Sequence, residues 1–562
     1  MRELLDASWA ENSLDTLQII AHLRDIRSGK GDKSSAYYAV EWLLEKHPLT
    51  CIENLKNLVD VGYWKDILNM LRWKCLGKHW AESYDLRSYS KTSNVIEAAI
   101  IRRQSRIDAN FHAREAFETD PVYRLLHLSV AALFAGELKK DLELSSLAIK
   151  SFSSLTGKWA PSPQGIHDKS TLIASTIAEL IFPRDTITFN TTDGEREEEE
   201  VTYKEYIDIA RMKYQTQVLS PLRRKSAVTE VFMSARQWHA LPYNRVPSIC
   251  MKKNVKNFVK HDQSRFQEYI LDVQLGKKKN LASGAVKPYE LLDTALRTRE
   301  NKEEFEVNEL QWKSYVDSLR SKGSLSNCLA VCDVSGSMYG LPIKVAISLS
   351  LLVAELAQPP YNDIICTFSE RPVMHELKPG TLSERYESIA ASSWMLNTDF
   401  NAVFSLILAR AEAVKLPPEE MIRTVFVFSD MEFDEAQGNH CKTNFQVAKD
   451  QFQSKGYALP KLVFWNLRGD ERFTGRGASV PVRADEDDVA LVAGFSGQML
   501  ANFMDGRLLD PPAEVEVEEA AAEEAVEGVD VKQEKVAAKM TPFETMVGII
   551  KSGKYDHWVV VD

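Results

Sequence analysis

A chain of 562 residues is long enough for two to four domains, and with 44% hydrophobic and 27% charged residues it has an ordinary globular composition. Large cores are therefore within reach without disulfides or structural metals. A net charge of −11 removes any global reason to expect nucleic acid, and no apolar run is long enough to span a bilayer. The seven cysteines are odd in number and form no Cys-x-x-Cys pair, so they read as small core residues. No signal-peptide pattern opens the chain. A cytoplasmic location is expected, with the nucleus as the alternative.

Taken in chain order, residues 1–180 read as helical almost throughout. Leu4 to Ile20 are already helix-patterned, which leaves room for a segment upstream. Ala36, Ala39, Val40, Leu43 and Leu44 fall at i, i+3, i+4, i+7 and i+8, and Pro48 ends that helix. Ile52–Leu58, Val95–Ile107, Pro121–Leu133 and Thr171–Ile181 are further amphipathic stretches separated by short turns. Helices apolar on one face and joined by turns suit a stack of helical hairpins. Residues 191–201 are acidic and read as a solvated loop, after which helical patterning continues to about Leu319.

Ser321-Lys322-Gly323-Ser324 reads as a linker, and the pattern then changes to α/β. Cys328–Cys332 is a continuous apolar run, as a buried parallel strand requires. Helices are expected at Ile343–Leu356, Ser383–Ala391, Asn401–Val414, Asn444–Lys455 and Val489–Phe503. Strands are expected at Asp363–Phe368, Thr424–Phe428 and Lys461–Trp465. This alternation predicts a doubly wound, Rossmann-like parallel sheet. The organisation predicted is a helical-repeat domain over 1–322, an α/β domain over 323–508, an acidic disordered insert over 509–540, and a closing helix and strand over 541–562 that pack back on the body.

Asp333, Ser335 and Ser337 directly follow the first strand of the α/β domain. Ligands of such sheets bind outside the carboxyl ends of the strands. An Asp-x-Ser-x-Ser loop can turn one carboxylate and two hydroxyls to one side, and Gly336 lets the turn close. Hard oxygen donors with few charges suit Mg²⁺ or a similar divalent cation. Thr398, in the Asn397-Thr398-Asp399 loop, supplies a further hydroxyl, and Asp430, after Phe428-Ser429, a second carboxylate. The competing reading is a Rossmann-like domain in which these residues merely cap helices and turns.

On these residues, the region 325–505 resembles a von Willebrand factor A domain with a metal-ion-dependent adhesion site. The resemblance implies that Ser335, Ser337 and Thr398 bind the ion directly and that Asp333 and Asp430 act through water. The last coordination position would go to water or to an acidic side chain of a protein partner. The N-terminal region resembles the TROVE module of Ro-type ribonucleoproteins. The matching segments are Leu23-Arg24-Asp25-Ile26-Arg27-Ser28-Gly29-Lys30-Gly31-Asp32 and Gly62-Tyr63-Trp64-Lys65-Asp66-Ile67-Leu68. Nearly the whole chain is similar to an uncharacterised plant and viral family with the same two-part layout. Gly157–Ser162, Tyr243–Ser248 and the stretch Gly553 to Asp562 carry that likeness. A TROVE resemblance implies HEAT-like helical repeats that bind RNA.

Local charge gives RNA an independent motive. Residues 201–300 hold 19 Lys plus Arg against 9 Asp plus Glu. Arg223, Arg224, Lys225, Lys252, Lys253, Lys256 and Lys260 form clusters among Trp238, His239, Tyr243, Phe258 and Phe266. Phosphate contacts with base stacking would make a sequence-tolerant RNA surface. Ordinary solvated helix faces would look the same. The Gly29-Lys30-Gly31 turn could approach a phosphate, but it lacks the spacing of a nucleotide-binding loop.

No catalytic constellation stands out. His167-Asp168 and His440-Cys441 are sequence neighbours, whose side chains rarely face each other. His167-Asp168 reads better as a cap for the helix that follows. Asp434 and Glu435 could add charge near a metal and support phosphodiester hydrolysis, although a hydroxyl-rich first shell suits docking better. The expected function is non-catalytic: RNA bound through the helical module and a protein partner bound through the metal. The alternatives are a protein scaffold with no RNA role and a metal-dependent hydrolase. No small-molecule substrate is indicated.

Overall fold

The structure is a computed structural model in which every residue is described except 78–94, 147–153, 188–189, 192–193, 196–201, 369–371, 391–399, 431–447, 468–486 and 507–540. It divides into two compact units. One comprises Met1–Ile26, Gly31–Arg245 and Tyr555–Asp562, the other Arg27–Lys30 and Val246–Lys554.

The first unit is helical. The Asn12 side chain accepts the Asp15 amide at 2.9 Å, so one residue ends the helix Arg2–Glu11 and opens Ser13–Arg24. Asp32 caps Lys33–Lys46 in the same way. Val95–Thr119 and Pro121–Ser146 run well past their expected ends. The expected helix over Thr171–Ile181 breaks at Leu172, whose φ is 60°. There the Asp168 carboxylate accepts the Ala174 amide at 2.9 Å and caps Ile173–Ile181. Leu17, Trp42, Ile67, Tyr123, Phe134, Ile177 and Tyr214 share one core.

The two segments that prompted the TROVE resemblance meet in a buried polar network of this unit. Arg24 Nε donates to Asp66 Oδ2 at 2.9 Å, and the Tyr37 hydroxyl donates to Asp66 Oδ1 at 2.6 Å. Asn69 donates to Tyr37, and His167 bonds Asn69 in turn. Gly62 closes against this network: a Cβ there would lie 2.2 Å from Asp66 Oδ2. A buried pair of this kind stabilises only when its geometry is good and its charges are hydrogen-bonded; here Arg24 meets Asp66 through both Nε and Nη2.

The second unit begins with the helices Ser248–Gln274, Pro288–Arg297 and Lys302–Arg320. A six-stranded sheet follows: β1 Cys328–Asp333, β2 Ile364–Phe368, β3 Val373–Glu376, β4 Thr424–Ser429, β5 Lys461–Asn466 and β6 Val489–Ala493. Helix gives way to strand just after residue 322, yet the compact unit starts earlier, at Val246. The physical reason is burial. Leu291, Leu292, Trp312, Tyr315 and Leu319 share a core with the Leu341–Leu356 helix of the sheet.

The strand order is β3-β2-β1-β4-β5-β6, parallel except for the β2–β3 pair. Alternate residues enter two cores. Ala330, Cys332, Phe426, Phe428 and Trp465 face the Leu341–Leu356 helix side. Leu329, Val331, Val425, Val427 and Phe464 face Phe404, Ile407 and Phe452. Burial on both faces is why these strands read as unbroken apolar runs.

Three expectations change. Val489–Ala493 is a strand rather than the start of a helix, followed by 3₁₀ turns over Gly497–Gly506. Five apolar residues carry no usable period, and Gly494, at φ 125°, ends the run. The antiparallel edge β3 makes the sheet mixed rather than wholly parallel. Pro542–Ile550 is a helix, but Trp558–Val561 forms no strand. The acidic insert expected over 509–540 lies outside the described residues. Among the described residues no helix is long and apolar enough to cross a membrane.

A cavity of about 420 Å³ beside the Lys302–Arg320 helix is lined in part by Glu309, Trp312, Glu355, Leu382 and Arg385. The Glu309 carboxylate accepts the Leu382 amide at 3.2 Å at the start of the helix Leu382–Ala390. Burial pushes its carboxyl up to about 7 against that hydrogen bond. A raised carboxyl favours the folded state below about pH 4.5 and loses that contribution as pH climbs through 7. The loss is on the order of 3 kcal/mol.

Two outcomes follow. Asp66→Ala strands Arg24 in the helical core and should cost about 3–5 kcal/mol in urea unfolding. Glu309→Gln should gain urea stability relative to wild type as pH rises from 5 to 8, when both proteins are measured side by side.

Candidate metal centre

The strand order reverses between β1 and β4. β1 leads through the Leu341–Leu356 helix to β2 on one side, while the chain leaving β4 reaches β5 on the other. A crevice forms at the carboxyl ends of the two strands at such a switch point, because the connections diverge to opposite faces. Register places Cys332 beside Phe428, so Asp333 and Ser429 end adjacent strands. Asp333, Ser335, Ser429 and Asp430 are all buried, whereas Ser337 is exposed. Val334 and Met338, each no more than 1% exposed, anchor the loop between them.

Hydrogen bonds define the cluster. The Ser429 hydroxyl donates to Asp333 Oδ2 at 2.6 Å, and the Ser335 amide donates to Asp333 Oδ1 at 2.9 Å. The Ser335 and Ser337 hydroxyls lie 3.0 Å apart. Burial raises the Asp333 carboxyl above its usual range; the Ser429 and Ser335 hydrogen bonds oppose the rise, and the charge of Asp430 adds to it. A divalent cation would reverse that balance.

The donor set fits Mg²⁺. Two neighbouring ligands of an octahedral ion with bonds of 2.0–2.1 Å lie about 3 Å apart, which is the spacing of the two serine hydroxyls. Both Asp333 oxygens already accept protein hydrogen bonds, so this carboxylate can support an ion through water more readily than bind it. Thr398 lies outside the described residues, as do Asp434, Glu435, His440 and Cys441. Among the described residues no three His, Cys, Asp or Glu side chains gather into a metal cluster.

Two residues of this region went unassigned in the sequence. Ser429 ties Asp333 in place, and the apolar-Ser-Asp strand end is the signal that could have shown it. Tyr339 stands 83% exposed at the end of the loop, an aromatic ring free for a partner to cover.

The basic residues are divided between the two units. Arg223, Arg224 and Lys225 belong to the helical unit, and Lys252, Lys253, Lys256 and Lys260 to the sheet unit. Arg223 donates to the Gly157 and Ala160 carbonyls and to Ser162 at 2.8–3.0 Å, so it is committed to the fold. Burial lowers its guanidinium from the usual value. Lys225 reaches the Ser145 carbonyl at 2.8 Å, and half-buried Lys252 the Glu290 carbonyl at 3.0 Å. Lys253, Lys256 and Lys260 lie on the exposed face of the Ser248–Gln274 helix, opposite buried Met251, Val255 and Phe258. Lys256 also pairs with Glu304 at 3.5 Å. The stacking role expected of Tyr243, Phe258 and Phe266 fails, because all three are buried in the core. His167-Asp168 is structural: Asp168 caps a helix and pairs with Arg211 at 3.1 Å.

Comparison with known proteins places these elements. The family described as domain of unknown function DUF2828 matches residues 1–94 and 77–325. A second, described as domain of unknown function DUF7788, matches residues 327–550. The two meet where the helices end and β1 begins. The chain is also similar to "Uncharacterized protein L728" of Acanthamoeba polyphaga mimivirus, 27% identical over 523 residues, covering 90% of this chain and 79% of the relative. With the first family matched over more than half its length, the chain belongs to the DUF2828 family.

Proposed function

We propose that the chain is a non-catalytic binding protein whose sheet is a von Willebrand factor A-like domain holding Mg²⁺ for a protein partner. The single observation behind this is the hydroxyl pair of Ser335 and Ser337, 3.0 Å apart at the switch point, with Asp333 fixed by Ser429. Ser335 and Ser337 would bind the ion, with Thr398 as third hydroxyl, and Asp333 and Asp430 would hold its water. A Mg²⁺ seated there would offer a Lewis-acidic position to an acidic side chain of the partner. The chain's own residues pre-form the cradle, keep Asp333 unable to turn away, and leave Ser337 and Tyr339 open to solvent. Hydroxyl ligands leave the ion electrophilic, which suits capture of a carboxylate better than activation of water for hydrolysis.

RNA binding is the second part of the reading, with the helical region 1–322, which includes the Ser248–Gln274 helix of the sheet unit, taken as TROVE-like, HEAT-like repeats. One observation favours a specific surface. Lys253, Lys256 and Lys260 are spaced i, i+3 and i+7, so they share one exposed helix face. Such a stripe can follow a phosphate backbone, and its affinity would be strongly salt-dependent.

At pH 7, Mg²⁺ should raise the melting temperature of the wild-type chain and chelator should reverse it. Asp333→Ala and Ser337→Ala should lose the response while remaining folded; an equal Mg²⁺ response in both variants would remove this site from the account. Separately, fluorescence anisotropy with single-stranded RNA should show a roughly tenfold loss for the triple variant Lys253→Glu, Lys256→Glu, Lys260→Glu at low salt. Unchanged affinity would leave the protein-docking role alone.

A further inference from the structure

The segment Tyr555–Asp562 belongs to the helical unit and is held there residue by residue. Three side chains, from the Pro48–Glu53 helix, the Leu55–Val61 helix and the Asn54 junction between them, read its backbone. Asn57 Nδ2 donates to the His557 carbonyl at 3.1 Å. Asn54 Nδ2 donates to the Val559 carbonyl at 2.7 Å, and its Oδ1 accepts the Val559 amide at 3.2 Å. The Thr50 hydroxyl accepts the amides of Val561 and Asp562 at 2.9 and 3.1 Å.

Thr50 lies in the Pro48–Glu53 helix, Asn54 at the junction and Asn57 in the Leu55–Val61 helix, three to four residues apart. The peptide turns over Tyr555–His557, where the Trp558 amide donates to the Tyr555 carbonyl at 3.1 Å, and it then runs without regular secondary structure to Asp562.

Side chains add sequence information. Trp558 is 2% exposed and packs in the helical core, while Val559 and Val561 remain about half exposed. The Tyr555 hydroxyl donates to Asp25 Oδ2 at 3.0 Å and lies 3.2 Å from His22 Nδ1. The Asp562 carboxylate accepts the amides of Leu49 and Thr50 at 3.0 and 2.8 Å.

Asn54 shows that the face is built for a peptide. It is fully buried, and an amide side chain has two donors and two acceptor positions. Its donors go to the Thr50 and Val559 carbonyls, and its acceptors to the Asn57 side chain and the Val559 amide. Removing the peptide would take away half of those partners.

We propose that the Thr50–Asn54–Asn57 face is a docking site for a peptide of pattern Tyr-x-x-Trp-x-x-x-Asp that enters through a turn, with the chain's own Tyr555–Asp562 segment as its resident, exchangeable ligand. Every determinant on the receiving side lies within the helical unit, and every determinant on the ligand lies within eight residues. The site therefore takes this sequence whether or not it is tethered. The proposal is independent of the metal and RNA readings.

The test uses the full chain with the resident segment weakened by Trp558→Ala and Asp562→Ala. A fluorescently labelled octapeptide of residues 555–562 should bind this variant at least tenfold more tightly than it binds wild type, where the site is filled. Adding Asn54→Ala should abolish that binding. Thr50→Val, which keeps the side-chain shape, should weaken it at least tenfold and serves if the asparagine variant fails to fold. Three results would overturn the proposal: no binding to the weakened chain, equal binding to wild type, or binding untouched by the Thr50 and Asn54 changes in folded protein.

Discussion

The pairing of β1 with β4 is the constraint on which the candidate site depends. These strands are neighbours in space although Asp333 and Ser429 are 96 residues apart in sequence. Their register puts a carboxylate and a hydroxyl side by side at the one point where the connections diverge. Slipping the register by one residue would invert both strand faces, moving Phe426 and Phe428 out of one core and Val425 and Val427 out of the other. The two cores therefore hold the site geometry as firmly as they hold the sheet. The site is the place where buried apolar strands end and polar groups become possible.

A buried carboxylate serves two different ends in this chain. Asp66 is saturated by Arg24, Tyr37 and the Tyr63 amide, and it joins helices of the first unit without facing solvent. Asp333 accepts from the neutral Ser429 hydroxyl and Ser335 amide and sits beside a second carboxylate, whose charge adds to the rise of its carboxyl. The first arrangement is a finished structural joint. The second is the arrangement that the proposed cation would complete. The same comparison explains why Arg223 is poor material for RNA recognition: its guanidinium already serves three acceptors of the fold.

Much of this was legible in the sequence, and for definable reasons. β1, β4 and β5 were readable because burial on both faces leaves only apolar residues in them. The Asp333-x-Ser335-x-Ser337 loop was readable because it directly follows such a run. β6 was misread because Val-Ala-Leu-Val-Ala has no period, and β3 was missed because a short, half-exposed edge strand has almost no signature. Charge counting found a basic region but not how its residues are used. Lys252 and Arg223 point at carbonyls, and Phe258 and Phe266 point into a core, which only the fold reveals. Ser429 was in plain view as part of Phe428-Ser429-Asp430, yet its role needed the β1–β4 register. The chain's end was expected to pack back on the body, but the residues that meet Tyr555–Asp562 lie some five hundred positions away and only the fold names them.

The central claim is that Ser335 and Ser337 form one edge of a cation's coordination shell. The most direct measurement is anomalous diffraction from crystals of the full chain grown with Mn²⁺ as a substitute for Mg²⁺. The account predicts a single strong peak within about 2.2 Å of both serine hydroxyl oxygens, with Asp333 and Asp430 reached through water. A peak elsewhere, or none at the ends of β1 and β4 at millimolar Mn²⁺, would contradict it.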